Sequence, residues 1–135
     1  MSYFTSNTTG VFRLGLMDNG NDRLYPTGQQ NCVPLGPTTP QCYSTLSVLS
    51  IDESAMTAAF VTHVVRPPSY FSFFGGNAEL LSNGDIEVNF SAPKAGAIVQ
   101  ELDPTGTNVL WQATTPGAYQ FHVSRLPSLY PGVQW

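Results

Sequence analysis

The chain has 135 residues, which is the length of one ordinary domain. Charged residues make up only 10% of it and hydrophobic residues 41%, a balance that argues against a disordered chain, since disordered chains are usually charge-rich. The net charge is −4 and Lys94 is the single lysine, so there is no basic patch to neutralise phosphates and nucleic-acid binding is excluded.

The apolar runs of the chain are short. None approaches the length needed to span a membrane, and the first five residues lack the basic and apolar regions of a signal peptide. Eleven prolines and twelve glycines interrupt the chain, and no stretch between prolines keeps a helical period. These features predict an all-β protein with no membrane segment.

The first half of the chain contains three predicted strands. Residues 11–17 form the first, residues 43–51 the second and residues 56–65 the third, with a turn over residues 52–55. An irregular excursion over residues 23–41, rich in proline, glycine, asparagine and glutamine, separates the first two. Proline at positions 67 and 68 stops the third strand.

The second half contains a complete unit of strands over residues 77–112. Asn83-Gly84 predicts one hairpin turn, and Pro104-Thr105-Gly106 predicts another. Ile86, Val88 and Phe90 alternate with polar residues, a pattern typical of a half-buried strand. Residues 118–126 alternate in the same way and predict one more strand.

The two halves repeat each other. Residues 50–60 align with residues 101–111 at a constant offset of 51, which places Asp52 and Asp103 at equivalent turn positions. A sheet repeated at this period is typical of the antiparallel, four-stranded blades of a β-propeller. We therefore predict one partial propeller domain of about two blades: an interrupted blade over residues 1–66 with a loop insertion at 22–42, a complete blade over 77–112, and a trailing strand over 117–126.

Cys32 and Cys42 bracket a short loop that can fold back on itself. A disulfide is the favoured interpretation if the compartment is oxidising, and two free thiols are the alternative. There is no C-x-x-C motif and no nearby histidine, so no metal site is predicted. No phosphate loop or nucleophile elbow is present, and we predict no cofactor.

The order and spacing of several motifs resemble the C-terminal part of arylsulfotransferase-like proteins. These motifs are M-D-N-G-N-D-R over residues 17–23, Tyr43-Ser44 with the strand that follows, F-F-G-G-N-A over 73–78, L-S-N-G over 81–84 and P-S-L-Y-P-G over 127–132. The resemblance implies a six-bladed propeller, exported to the periplasm or outside the cell. It also implies transfer of a sulfuryl group from a phenolic sulfate donor to a phenol acceptor through a sulfated histidine.

Arg23 is the one residue that the resemblance carries over, as a ligand of the sulfuryl oxygens. The chemistry is reasonable because a sulfuryl group in transfer spreads negative charge over oxygens that a guanidinium can bind. The alternative is a surface loop arginine that pairs with Asp18 or Asp22. The family's nucleophilic histidine is not found: neither His63 nor His122 lies where the resemblance would place it.

The remaining candidates have both a functional and a structural interpretation. His122 lines a channel if its strand is innermost, and otherwise it is a polar surface residue, as is expected of His63. Tyr70, Phe71, Phe73 and Phe74 either stack on a phenolic substrate or pack between blades, and packing is the favoured role.

Two functional hypotheses follow. The chain is a fragment or shortened relative of the sulfotransferase, inactive by itself, or it is a non-catalytic binding or assembly module. Exposed strand edges invite pairing with the remaining blades or with other copies of the chain.

Overall fold

The computed structural model describes residues 2–5, 10–21, 32, 42–91 and 96–126. Its elements, in chain order, are β1 (Ser2–Thr5), β2 (Val11–Asp18), β3 (Thr45–Asp52), β4 (Thr57–Val65), a short 3-10 turn (Pro68–Tyr70), β5 (Asn77–Leu80), β6 (Ile86–Phe90), β7 (Ala97–Leu102) and β8 (Val109–Thr115). In this part of the chain no helix has the length and apolar character needed to cross a membrane.

The strands form two antiparallel sheets of the same design. The first sheet has the order β1-β2-β3-β4 and the second has the order β5-β6-β7-β8, so each sheet is an up-and-down meander. Each sheet also has one irregularity in its outer hairpin, between Val48 and Leu49 in the first and between Glu101 and Leu102 in the second. The prediction of an all-β protein with antiparallel strands is confirmed.

The predicted strand over residues 117–126 is wrong, because these residues form no strand in the structure. The segment runs across the second sheet instead of along its edge. Ala118 O accepts from Ala97 N on β7, Gln120 O from the Asn89 side chain on β6, and Val123 O from the Asn77 side chain on β5. A segment that crosses three strands cannot extend the hydrogen-bonded ladder of any one of them. We call residues 116–126 the second crossing.

The second crossing also changes the burial of β6. All five residues of this strand are buried, including Glu87 and Asn89, which the alternating pattern predicted to face solvent. Ile86, Val88 and Phe90 point into the core between the sheets, and the crossing covers the opposite face. Alternation therefore identified the two faces of β6 correctly, but not what covers them.

The core lies between the two sheets. Leu46 and Val48 of β3 pack against an apolar face of the second sheet that contains Ala78, Leu80, Ile86, Val88, Phe90, Ile98 and Leu102. A side chain of this type stabilises a fold by about 1.5–3 kcal/mol when it becomes fully buried. The core holds the two sheets face to face.

Gly15 sets how closely the sheets approach. A Cβ atom at this position would lie 2.8 Å from the backbone oxygen of Ala78 on β5. Gly76, which has a φ of 90°, is in a similar position against the Met17 side chain and the backbone oxygen of Asn89. At Gly15 the backbone of β2 therefore lies against the backbone of β5, an approach that a side chain at this position would block.

The equivalent residues Asp52 and Asp103 organise equivalent turns. Asp52 Oδ1 accepts from the Ser54 hydroxyl and from Ala55 N. Asp103 Oδ1 accepts from the Thr105 hydroxyl at 2.8 Å and from Thr107 N at 3.0 Å. The repeat therefore reflects turn chemistry, as the sequence predicted.

Gly15→Ala is expected to destabilise the fold by about 1–3 kcal/mol, because its methyl group would overlap the backbone of β5. Denaturant unfolding of both proteins measures the change in the free energy of unfolding. Ser50→Ala on the neighbouring strand adds no atoms and serves as the control. A Gly15→Ala variant as stable as the parent chain would contradict this account of the sheet contact.

Asp103 should make stability depend on pH in the acidic range. Desolvation raises the pKa of Asp103, but hydrogen bonds from Thr105, Asn108 and Thr107 outweigh it and lower the pKa from 3.8 to about 2. Because the folded-state pKa is depressed, the stabilisation is complete above pH 4 or so and is lost as the pH falls through about 2. Asp103→Asn should lower the Tm near pH 7, and the difference should shrink towards about pH 2. A difference that stays constant over this range would refute the assignment.

Candidate functional site

The candidate site lies where the loops of both sheets gather. At this end β2 ends, β3 begins, and the chain passes from β4 to β5 through residues 66–76, which we call the first crossing. Residues 19–44 join β2 to β3 at the same end. Loops held by a rigid sheet are the usual location of binding and catalytic residues.

The turn after β2 is bonded to the first crossing through asparagine side chains. The Asn19 amide donates to Ser72 O at 2.6 Å and to Gly75 O at 2.8 Å. The Asn21 amide donates to Phe73 O at 2.5 Å. Two side chains of one turn therefore fix three backbone carbonyls of a segment more than fifty residues away.

Ser44 and Asp18 complete this network. The Ser44 hydroxyl donates to Asn19 O and accepts from Ser72 N, both at 3.0 Å. Asp18 Oδ1 accepts from Gly20 N at 2.8 Å, which fixes the turn itself. The motif D-N-G-N is thus a clamp between β2, β3 and the first crossing.

The disulfide lies beside this clamp. Cys32 and Cys42 are bonded, which confirms the favoured interpretation of the pair. Both cysteines are fully buried and pack against Phe71, and Cys32 N donates to Asn21 O at 3.0 Å. The cross-link therefore ties the connection between β2 and β3 to the same clamp.

Arg23, the predicted ligand of the sulfuryl oxygens, lies outside the described residues. Asn21, two positions earlier, is the last described residue of the turn, and its side-chain Oδ1 is buried without a hydrogen-bond partner. The clamp therefore holds the chain as far as Asn21, two residues before Arg23.

Each of the two histidines pairs with a serine hydroxyl. His63 on β4 pairs with the Ser47 hydroxyl at 2.8 Å and contacts the Phe60 ring. His122 is an exposed residue of the second crossing, where its Nε2 pairs with the Ser124 hydroxyl at 2.8 Å. In the part of the chain that the structure describes, neither histidine contacts an arginine or the other histidine.

Tyr70 and Phe71 occupy packing positions. Phe71 is buried against the disulfide. Tyr70 is half-buried and packs edge-on against Phe90, with ring centroids 5.2 Å apart. Phe71 is therefore closed to solvent, whereas Tyr70 stays partly exposed.

Other aromatic residues are displayed at this end of the sheets. The ring centroids of Phe73 and Phe74 are 4.6 Å apart, and those of Phe74 and Tyr119 are 5.2 Å apart. Tyr119 is 67% exposed and Phe121 is 75% exposed. The sequence predicts that Phe73 either stacks on a substrate or packs between blades, and it places Tyr119 and Phe121 on one face of a strand that does not form. Alternation within the first crossing was the available signal, since Phe71 is buried and Phe73 is 39% exposed.

Arg66 is a second residue that sequence reasoning missed. Its guanidinium is buried between the sheets, donates to Gln100 Oε1 at 2.8 Å and lies 5.0 Å from the centre of the Tyr70 ring. Burial lowers the pKa of Arg66, and Tyr70 partly offsets this effect. Because no described carboxylate pairs with Arg66, aromatic rings and an amide stabilise this charge.

Three carboxylates form a row across the second sheet, beneath the second crossing. Glu79, Glu87 and Glu101 are direct neighbours on β5, β6 and β7, and Arg125 of the crossing donates to Glu101 at 2.6 Å. Burial and then Glu79 raise the pKa of Glu87, while Arg125 lowers it and Glu101 raises it further. Among the described residues no cluster of acidic, histidine or cysteine side chains could hold a metal ion.

In comparisons with known proteins, no family model, no curated protein and no solved structure matches the chain.

Asn19→Ala should destabilise the protein by about 1–2 kcal/mol, because it removes the amide that donates to two carbonyls of the first crossing. Asn83→Ala is the matched control: the exposed Asn83 side chain bonds only to Asp85 within its own hairpin turn, so the loss should stay within about 0.5 kcal/mol. Thermal and denaturant unfolding give both values. Equal losses of stability for the two substitutions would contradict the role given to the Asn19 amide in the clamp.

Proposed function

We propose that this chain is the C-terminal part, or a shortened relative, of an arylsulfotransferase-like β-propeller. The observation that carries the proposal is the stacking of two four-stranded meanders, with the D-N-G-N clamp at the end where their loops meet. Propellers are built from such sheets and commonly carry function on their loops.

The two crossings support the propeller assignment. The first leads from β4, the last strand of one sheet, to β5, the first strand of the next. The second also follows a last strand, β8, and runs back over the second sheet as far as β5. In a propeller every blade is followed by such a return from the outer strand towards the inner one.

The chemistry would depend on the segment that follows the clamp. Sulfuryl transfer needs donors for the charge that spreads over the transferred oxygens, and Arg23 is the residue proposed for that role. Asn19 and Asn21 would position the chain leading to it. A hydrogen-bonded turn before Arg23 would be useful here because a transferred group must be held close to its productive geometry.

The chain by itself is proposed to be inactive. The family chemistry passes through a sulfated histidine, and neither His63 nor His122 contacts an arginine among the described residues. The nucleophile and the other oxygen ligands would come from the remaining blades. The phenolic sulfate donor and the phenol acceptor are accordingly partners of the whole enzyme.

Export from the cytoplasm is part of the same proposal. The Cys32–Cys42 disulfide supports an oxidising compartment, since such cross-links persist in the periplasm and outside the cell. A periplasmic or extracellular location would suit an enzyme of this family.

A sulfotransfer assay tests the proposal. Purified chain is incubated with 4-nitrophenyl sulfate and a phenol, and release of nitrophenol is followed by absorbance. We expect no turnover above the rate without protein. Turnover by the parent chain that Arg23→Ala abolishes would overturn the claim of inactivity and would place the active site within this chain.

A second candidate function is a non-catalytic binding or assembly module. The observation that favours it is the exposure of apolar side chains on the first sheet, where Phe60 is 65% exposed. Light scattering with circular dichroism distinguishes the candidates. A folded, β-rich assembly of three chains would favour the module, and aggregation or loss of structure would favour a piece of a longer enzyme.

A further inference from the structure

The second crossing is held in place by polar contacts rather than by apolar burial. Its largest apolar side chains, Tyr119, Phe121 and Leu126, are all exposed. It is attached by hydrogen bonds to β5, β6, β7 and the first crossing, and by the ion pair of Arg125 with Glu101. Segments with few buried apolar contacts open at a lower free energy than the core. A change that weakens these polar contacts therefore frees the second crossing before it unfolds either sheet.

The carboxylate row beneath the second crossing has more acceptors than donors. Glu79 and Glu87 are direct cross-strand neighbours, and the Cβ atoms of such pairs lie about 4.5–5.5 Å apart. Each of the two has one side-chain oxygen that is buried without a hydrogen-bond partner. Among the described residues Arg125 is the one cation bonded to the row, and it bonds to Glu101. Three ionised carboxylates therefore leave the row with excess negative charge and with oxygens that lack donors.

We infer that Glu79 and Glu87 share one proton in the folded chain, and that this proton makes the second crossing a pH-sensitive strap over the second sheet. A protonated carboxyl group is a donor, so one proton between the two side chains gives both unpartnered oxygens a hydrogen bond. Two carboxyl groups that share a site retain such a proton because both cannot ionise without repulsion. Loss of the proton leaves like charges facing each other beneath the second crossing and frees it.

The charges around Glu87 set the direction of the pH dependence. Burial, and then Glu79, raise the pKa of Glu87. Arg125 lowers this pKa, and Glu101 raises it further. Because the folded-state pKa is raised above the ordinary value of 4.5, the stabilisation is complete below that value and is lost as the pH rises through the folded-state pKa. His122, the other titratable residue of the second crossing, is exposed and bonds to a serine hydroxyl.

Opening of the second crossing extends to the candidate site. Gly76 N, in the first crossing, donates to Phe121 O at 2.8 Å, and the ring centroids of Phe74 and Tyr119 are 5.2 Å apart. Both contacts are lost when the second crossing leaves the sheet. The pH therefore controls the exposed aromatic cluster at this end of the sheets as well as the cover of the carboxylate row. The inference rests on these contacts alone and is independent of sulfuryl transfer.

Hydrogen exchange of single amides, followed by NMR, tests the inference in the parent chain. The amides of Gly76, Ala97 and Val123 are bonded across the contact between the second crossing and its neighbours. We expect their protection, corrected for the intrinsic exchange rate, to fall at least about tenfold between about pH 5 and about pH 8. The Leu81 amide, which donates to Asp85 O within its own hairpin, is the reference and should keep its protection.

The variant Glu87→Gln should remove this pH dependence, because its side-chain amide donates to Glu79 at every pH. Glu53→Gln makes the same change at an exposed position of the first sheet, and it should behave like the parent chain. Protection in the parent chain that is equal or higher at the higher pH would overturn the inference, whether or not the variants fold. A folded Glu87→Gln variant that keeps the parent's pH dependence would overturn it as well.

Discussion

The architecture depends on one close contact, in which strands β2 and β5 approach until the backbone of one meets the Cα of the other. Gly15 and Gly76 make this possible, since a side chain at either position would overlap backbone atoms or the Met17 thioether. The contact brings the two apolar faces together. It also brings the turn after β2 beside the first crossing, within reach of the Asn19 amide. Packing and the geometry of the candidate site therefore share one steric origin.

The interface between the sheets is not purely apolar. Arg66 reaches from the end of β4 to Gln100 on β7, and the Gln100 amide continues to the Tyr70 hydroxyl and to Gln112 at 2.6 Å. A buried guanidinium without an acidic partner is costly, and the rings of Tyr70 and Phe90 offset part of that cost. The directional bonds of this network fix the relative position of the sheets, which apolar packing by itself leaves loosely defined.

The two outer faces of the pair have opposite character. The outer side of the first sheet carries half-buried aliphatic side chains such as Leu14 and Leu16. The outer side of the second sheet carries the row of carboxylates, which lies beneath the second crossing and is bonded to it through Arg125. The two sides of the pair therefore differ, although the sheets share one strand order.

Several elements were determined by the sequence because their causes are local. Strand and turn positions follow from alternation and from Asp, Asn and Gly chemistry, and the short spacing of Cys32 and Cys42 favours their pairing. Tertiary structure decided the rest. Alternation assigns residues to two sides of a strand but is silent on what covers each side. For that reason residues 117–126 were mistaken for a strand, and Glu87 was expected to face solvent. The burial of Arg66 likewise depends on Gln100, a partner 34 residues away that only the stacking of the sheets brings into contact.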